Sequence, residues 1–137
     1  MTGPQLEDAK AMIAAAEEEA EDVGVPMCIA VADGGGNLVG FHRMDDALIA
    51  SIDIARNKAY TSVSLKLSTE AVGEAAQPGE DLYGIETTNG GRIVTFGGGF
   101  PIEVDGDVVG AIGVSGGSPE EDMTVARAGL DAFESGE

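Results

Sequence analysis

The chemistry that this chain can offer is concentrated in a short stretch around its single histidine. His42 is followed directly by Arg43, and Asp45 lies two residues further along the chain. A neutral imidazole can bind a metal centre axially, and a guanidinium holds carboxylates with two parallel hydrogen bonds. Structural alternatives exist for all three residues. His42 can be hydrogen-bonded within its own strand, and Arg43 can pair with Asp45 to fix a strand-to-helix corner.

A second group of candidates surrounds a run of three consecutive glycines: Gly97, Gly98 and Gly99. With Pro101 just after them, they let the backbone approach a flat ligand or a partner subunit, and they leave N–H groups free to bind a carboxylate. A bulge or an interface turn explains the same glycines equally well. Thr95 precedes them and is a weak oxygen donor. Lys58 is one of few cations in the chain and a candidate to hold a carboxylate together with Arg43.

The residue patterns typical of other common functional sites are absent from the sequence or weak. No His-x-x-x-His spacing, cysteine pair or dense Asp-x-Asp run is present, so a dedicated zinc or calcium site is not expected. Cys28 is the only cysteine and lies among apolar residues, which favours an inert core position. Glu18 and Glu21 are one helical turn apart and could hold an iron ion, but a solvated acidic helix face is the stronger interpretation. The run 113–117 resembles a serine-hydrolase elbow only superficially.

The charge balance excludes several classes of partner. The chain has 25 acidic and 7 basic residues, for a net charge of −18. Such a field repels nucleic acid and anionic membranes, so neither is an expected partner. A hydrophobic content of 43% argues against a disordered acidic chain. A lysine-poor acidic surface is typical of a protein that works in concentrated salt, and we expect a halophilic protein.

The length of 137 residues predicts one domain over residues 1–137. There is no apolar run long enough to span a membrane. The first residues lack the basic start and apolar stretch of a secretion signal, so a cytoplasmic location is expected.

Hydrophobic periodicity predicts the elements of the first half. Apolar residues at three- and four-residue steps indicate a helix over Leu6–Val23. Residues 27–32 and 37–44 are predicted strands, joined by an Asp-Gly-Gly-Gly hairpin loop. Alternation places His42 and Met44 on one face of the second strand and Arg43 on the other. Asp45 or Asp46 is the expected cap of a second helix.

The second half is predicted to contain three more strands and two further helices. A short helix is expected over residues 69–75, then a loop over 77–91 and a strand over 92–96. Two strands follow, over residues 100–104 and 108–114, joined at Asp105-Gly106, a strong hairpin signal. Ser118 begins the last helix with Pro119 at its first position and Glu121 completing a capping box. The prediction is an α+β sandwich with a five-stranded, mostly antiparallel sheet.

Two blocks of sequence resemble a known family. GGGFPI, DGDVVGAIGVSGG and a helix opening SPEED are similar to the C-terminal signature of the GlcG/HbpS-like haem-degrading family, which includes the C-terminal domain of PduO-type proteins. VADGGGNLVGFHRMDDA followed by SIDIARNKAYTS resembles an earlier segment of the same family, with its RMD and NKA tripeptides. The resemblance implies a profilin-like or PAS-like fold with a central antiparallel sheet.

The resemblance also implies a function. It points to a protein that binds a tetrapyrrole, haem first and a corrinoid second, with or without slow haem breakdown. His42 is the expected axial ligand, Thr95 an oxygen-donor alternative, and Arg43 with Lys58 the clamp for propionates. One alternative is an accessory protein without chemistry of its own in glycolate- or diol-type metabolism, assembled as a homo-oligomer from a dimer to a hexamer or octamer. Another is an enzyme acting on a small organic acid, with Arg43 as carboxylate binder and Asp45 as base.

Overall fold

The computed structural model describes residues 3–136 and contains four α-helices and four strands in that range. In chain order, the elements are α1 (Leu6–Val23), β1 (Cys28–Asp33), β2 (Leu38–Arg43), α2 (Ala50–Leu65), α3 (Thr69–Ala75), β3 (Gly99–Val104), β4 (Asp107–Ser115) and α4 (Pro119–Ser135). Two single turns of 3₁₀-helix, Ile85–Thr87 and Asn89–Gly91, interrupt the long loop between α3 and β3.

The strands form one antiparallel sheet in the order β2-β1-β4-β3. Alternate residues of the strands point to opposite faces, and each face is covered by helices. Ile29 and Val31 of β1 pack with α1 and α4, whereas Cys28 and Ala30 pack with α2. The protein is therefore a layered α+β structure with a central sheet, as the alternating apolar patterns predicted.

The prediction of a fifth strand was wrong. Residues 92–96 do not pair with the sheet, because their backbone is hydrogen-bonded to the helix α2. The Thr61 hydroxyl donates to the Arg92 carbonyl at 3.2 Å and accepts from the Val94 N–H at 3.0 Å. One side chain thus satisfies a donor and an acceptor that a strand partner would otherwise have to satisfy.

The turn and cap residues behave as their types predicted. Asp105 and Gly106 have φ values of 53° and 87°, the two positive angles that a type I′ turn requires. Ser118 and Glu121 form a reciprocal capping box at the start of α4. Asp33 closes the first hairpin by accepting from the N–H groups of Gly35 and Asn37, both at 2.9 Å.

The expected carboxylate cap of α2 is absent. The N-cap position is Ile49, which makes no side-chain capping bond, and Asp46 instead has a φ of 70° in the preceding turn. A local side-chain contact stabilises the segment before this helix. Arg43 Nε and Nη2 both donate to the Ala47 carbonyl, at 3.2 and 2.7 Å, and so hold the segment that leads into α2.

Within residues 3–136, no helix is long and apolar enough to span a bilayer.

Candidate functional site

His42 lies on the α1 side of β2, and its ring is held by a carboxylate. Nδ1 is 2.7 Å from Glu17 Oε2, and the His42 side chain remains 59% exposed. A neutral imidazole that donates Nδ1–H to this carboxylate carries its lone pair on Nε2. Nε2 has no hydrogen bond to any residue in 3–136, so a ligand atom can reach it from solvent. Met44, on the same face as predicted, accepts a hydrogen bond from the Met27 N–H through its sulfur at 3.4 Å.

Arg43 points to the opposite face from His42 and does not pair with Asp45. Both guanidinium hydrogen bonds described above go to the Ala47 carbonyl, and among the residues described here Asp45 makes no ion pair. The corner is therefore fixed by Arg43, as its structural interpretation anticipated, but with a backbone partner. Arg43 and Asp45 both border an open depression of about 400 Å³ that Glu17 and Glu21 share. Three of the residues that border this space carry carboxylates, whereas the Arg43 guanidinium is bonded to Ala47.

Lys58 is buried, contrary to the exposed position that a propionate clamp with Arg43 requires. Its Nζ donates to Asp122 Oδ2 at 2.9 Å and to the Val114 carbonyl at 2.8 Å, with no exposed surface. The Phe96 ring lies 5.0 Å from the ammonium, close enough for a cation–π contact. All the polar contacts of Lys58 are thus internal.

Burial and pairing act in opposite directions on the pKa values of Lys58 and Asp122. Burial lowers the pKa of Lys58, and the Asp122 charge opposes that shift. Burial raises the pKa of Asp122, while Lys58 and the N–H groups of Gly117 and Gly116 lower it. Gly117 N–H donates to Asp122 Oδ1 at 2.8 Å, so both carboxylate oxygens have partners. Each partner therefore offsets part of the cost of burying the other.

Close packing accounts for the three consecutive glycines. A Cβ atom on Gly97 would lie 2.7 Å from the Met123 sulfur, one on Gly98 2.5 Å from Lys58 Nζ, and one on Gly99 2.7 Å from the Lys58 carbonyl. Gly98 also has a φ of 132°, a backbone angle that residues with a side chain rarely adopt. The backbone here approaches α2 and α4 rather than an open ligand surface.

The remaining two candidates lie apart from His42 in the fold. Thr95 lies in the segment bound to α2, with its carbonyl directly against Gly73 of α3. Pro101 lies on β3, at the edge of the sheet, and borders an open groove of about 550 Å³ together with Phe100 and Arg127. Arg127 stacks on the Phe100 ring at 4.3 Å.

Cys28 is fully buried, which confirms the core position predicted for it. Burial raises the pKa of its thiol, so the reactive thiolate is disfavoured. Within the described part of the chain, no group of three or more His, Cys, Asp or Glu side chains is arranged to hold a metal ion.

Sequence reasoning missed a second site near the Lys58–Asp122 pair. Ser51 and Ser115 are buried with their hydroxyl oxygens 3.0 Å apart, and with Asp122 they border a cavity of about 170 Å³. The signal was present in the sequence. Asp122 lies four residues before Ala126 on the buried stripe of α4, a place where a carboxylate needs a buried partner.

Comparisons with known proteins establish the family and the fold of the chain. The family model described as "Haem degrading protein HbpS-like" matches residues 5–131. A 15.0 kDa protein encoded between dhaT and dhaS in Citrobacter freundii, itself uncharacterised, is 48% identical over 128 residues. The match covers 93% of this chain and 90% of that protein.

Two solved structures have the same fold over nearly the whole chain. Klebsiella pneumoniae protein ORFY superposes with a TM-score of 0.94 at 42% identity, covering 98% of this chain and 92% of that one. PduOC in complex with haem superposes with a TM-score of 0.89 at 39% identity, covering 92% of this chain and 91% of that one. The resemblance first noted in the glycine-rich blocks is thereby confirmed, and the chain belongs to the HbpS-like family that the family model describes.

Proposed function

We propose that this protein binds a tetrapyrrole, haem first and a corrinoid second, with His42 Nε2 as the axial ligand. The observation that carries the proposal is the 2.7 Å contact between His42 Nδ1 and Glu17. A carboxylate on one ring nitrogen fixes the tautomer and the ring orientation and makes the other nitrogen a better metal ligand. The haem complex of PduOC and the description of the family support the choice of ligand class.

The surroundings of His42 suit a site at the surface. The nearest depression, which reaches His42 only through its partner Glu17, is open, so a flat ring bound at His42 would have one face uncovered in a single chain. We therefore include in the proposal a second copy of the chain that covers this face, within a homo-oligomer between a dimer and a hexamer or octamer. The carboxylates of Glu17, Glu21 and Asp45 would repel the propionates of haem. Molar salt shortens the range of this repulsion to a few ångströms.

Haem supplies a redox-active iron when bound, and slow haem breakdown stays a secondary part of the proposal. For this role, the chain would bind the iron through His42 on one side only and leave the opposite position accessible. Arg43 is the cation nearest in sequence, but its side chain lies on the other face of β2, and its guanidinium would have to release the Ala47 carbonyl to contact a propionate. Lys58 does not contribute, because its ammonium is buried against Asp122.

A haemin titration tests the proposal. Wild type, His42→Ala and a control variant on the same strand, Leu38→Ala, would be titrated while the Soret band is followed, in low salt and again in molar salt. We expect a saturable Soret shift at one haem per subunit or per dimer, lost in His42→Ala and retained in Leu38→Ala. A saturable shift that survives His42→Ala would move the ligand to an oxygen donor such as Thr95. Broad, unsaturable absorption in wild type would refute tetrapyrrole binding.

A second candidate function is that of an accessory subunit without chemistry, and a specific observation favours it. Leu48, Ile49 and Phe96 are 63%, 80% and 45% exposed, an unusual apolar surface on such an acidic chain. Sedimentation velocity with Ile49→Glu tests whether this surface joins copies of the chain. An enzyme acting on a small organic acid would require turnover that depends on Arg43, whose two hydrogen bonds to Ala47 give no support to that role.

We also propose that the acidic surface adapts the protein to concentrated salt. Of the seven basic residues, Lys58 is buried, which leaves six to oppose the carboxylates at the surface. Refolding yield measured from low to molar salt checks the proposal, and full refolding in dilute buffer would contradict it. A cytoplasmic location remains an expectation.

A further inference from the structure

A small cavity beside the buried ion pair has the features of a binding site that is separate from His42. Its polar floor consists of Ser51, Ser115 and Asp122, and its apolar rim includes Leu48, Ile54 and Phe96. The floor residues are 2%, 5% and 2% exposed, so their polar groups are withdrawn from bulk water. Buried hydroxyls and a buried carboxylate on the wall of a cavity are costly to maintain unless they have partners.

Three elements position the floor of this cavity. Ser51 lies in the first turn of α2, Ser115 ends β4, and Asp122 lies in the first turn of α4. Ser115 is opposite Cys28 on β1, and Cys28 is opposite Arg43 on β2, so Arg43 lies in the same row of the sheet. Through its hydrogen bonds to Ala47, Arg43 holds the segment that places Leu48 over the cavity.

The polar groups of the floor define what a ligand must offer. The two serine hydroxyls are 3.0 Å apart, and whichever one donates to the other, the pair retains one hydroxyl hydrogen and free lone pairs. Asp122 accepts from Lys58 through Oδ2 and from Gly117 through Oδ1, and the Gly116 N–H is a third donor, so about one of the four lone pairs of the carboxylate remains for a ligand. A ligand therefore needs a donor for Asp122 and an acceptor for the serine hydroxyl.

Charge and size narrow the ligand class further. The Asp122 charge is already balanced by Lys58, so a second charge of either sign would enter a site that has no counter-ion for it. A volume of about 170 Å³ corresponds to about five or six water molecules in the liquid. It is well below the roughly 300 Å³ at which pockets for larger organic ligands begin. A tetrapyrrole does not fit.

We propose that this cavity is a second, independent site that binds a small uncharged molecule carrying adjacent hydrogen-bond donors and acceptors, a short primary amide or alcohol. The amide N–H or alcohol O–H donates to Asp122, the ligand oxygen accepts from the Ser51–Ser115 pair, and the carbon end packs on Leu48, Ile54 and Phe96. Haem binding at His42 and binding in this cavity are predicted to be separable.

A pair of ligands of equal shape tests the proposal. Isobutyramide and isobutyrate differ only in an amide against a carboxylate, and they would be titrated while the backbone amide signals of Gly116 and Gly117 are followed by NMR. We expect saturable shifts with isobutyramide at millimolar concentration, an order expected for a ligand of about six non-hydrogen atoms. Isobutyrate should bind at least tenfold more weakly, because its charge would be placed beside Asp122.

Two variants locate the site. Ala50 is exposed at the cavity rim, so Ala50→Phe should block the opening without disturbing the core, and Ala14→Phe on the exposed face of α1 is the matched control. Ser51→Ala should weaken isobutyramide binding about three- to tenfold, the usual effect of one lost hydrogen bond. No saturable shift in wild type, equal binding of isobutyrate, or binding unchanged in Ala50→Phe would each overturn the proposal. The His42→Ala variant should bind isobutyramide as wild type does, and loss of binding there would overturn the independence of the two sites.

Discussion

Lys58 Nζ and Asp122 Oδ2 lie 2.9 Å apart although 64 residues separate them in the sequence. Lys58 is on α2 and Asp122 on α4, helices that cover opposite faces of the sheet, so the pair ties the two layers together at the end of β4. Burying two charges costs several kcal/mol for each ion, and the attraction between them roughly offsets that cost only while both are present. Substitutions in this pair therefore test whether it holds the two helical layers together.

Removing one member of the pair should be far more damaging than removing both. Lys58→Met leaves the Asp122 carboxylate buried without its cation, and we expect the free energy of unfolding to fall by about 3 to 5 kcal/mol. The double variant Lys58→Met/Asp122→Leu leaves no charge behind and should recover most of that loss. Urea denaturation of the two single variants and the double variant measures the coupling directly. A double variant that is less stable than either single one would contradict this account.

The pair should also produce a stability minimum near neutral pH. The pKa of Asp122 is raised in the folded state. Its contribution to the free energy of unfolding is therefore complete below the unfolded-state pKa of about 3.9 and is lost as the pH rises through the folded-state pKa. The folded-state pKa of Lys58 is lowered, so its contribution is full above about 10.4 and is lost as the pH falls through the folded pKa.

The difference between wild type and the double variant isolates this effect from the other carboxylates. The free energy of unfolding of wild type minus that of Lys58→Met/Asp122→Leu should be lowest near neutrality and should increase toward both acid and alkaline pH. Thermal or urea unfolding of both proteins across that range provides the curve. A difference with a maximum near neutrality would show that the pair is better solvated than its burial indicates.

Gly98 should be much less tolerant of a side chain than Gly106. Both have positive φ, 132° and 87°, but a Cβ on Gly98 would meet Lys58 Nζ, whereas nothing lies within 4 Å of one on Gly106. We expect Gly106→Ala to cost about 1 kcal/mol of stability from backbone strain alone. Gly98→Ala should cost about 3 kcal/mol or more, because overpacking against the ion pair adds to the strain. Equal losses in urea unfolding would show that packing against Lys58 contributes nothing.

Glu17 should act on haem affinity through the His42 ring. Glu17→Gln keeps a hydrogen-bond acceptor but removes the charge that holds Nδ1–H, and we expect haemin affinity to fall about tenfold, as for other partners of metal-binding histidines. The Soret maximum should remain that of a histidine complex, which distinguishes a positioning residue from the ligand itself. Glu18→Gln, on the neighbouring exposed position, is the charge-matched control. An equal loss of affinity in both variants would indicate a general charge effect.

The sequence alone determined the features that depend on neighbouring residues. The Asp105-Gly106 turn and the Ser118–Glu121 capping box were predicted correctly, because each depends on φ angles or side-chain reach within a few residues. The bounds of α1, Leu6–Val23, also followed from the spacing of its apolar residues, although Leu6 itself is exposed. The alternation along β2 likewise placed His42 and Arg43 on opposite faces. The family resemblance rested on the same local blocks.

The tertiary structure alone decided which polar groups meet. Residues 92–96 have strand-like composition, but Thr61, some thirty residues earlier, satisfies their backbone and keeps them out of the sheet. The sequence indicated that Lys58 is a surface cation, whereas in the folded protein its ammonium donates to Asp122 and to the Val114 carbonyl. The contact between Glu17 and His42 likewise joins residues that are 25 positions apart in the sequence. Local composition does not identify such partners, because a hydrogen bond between distant segments depends on how the layers pack and not on either segment alone.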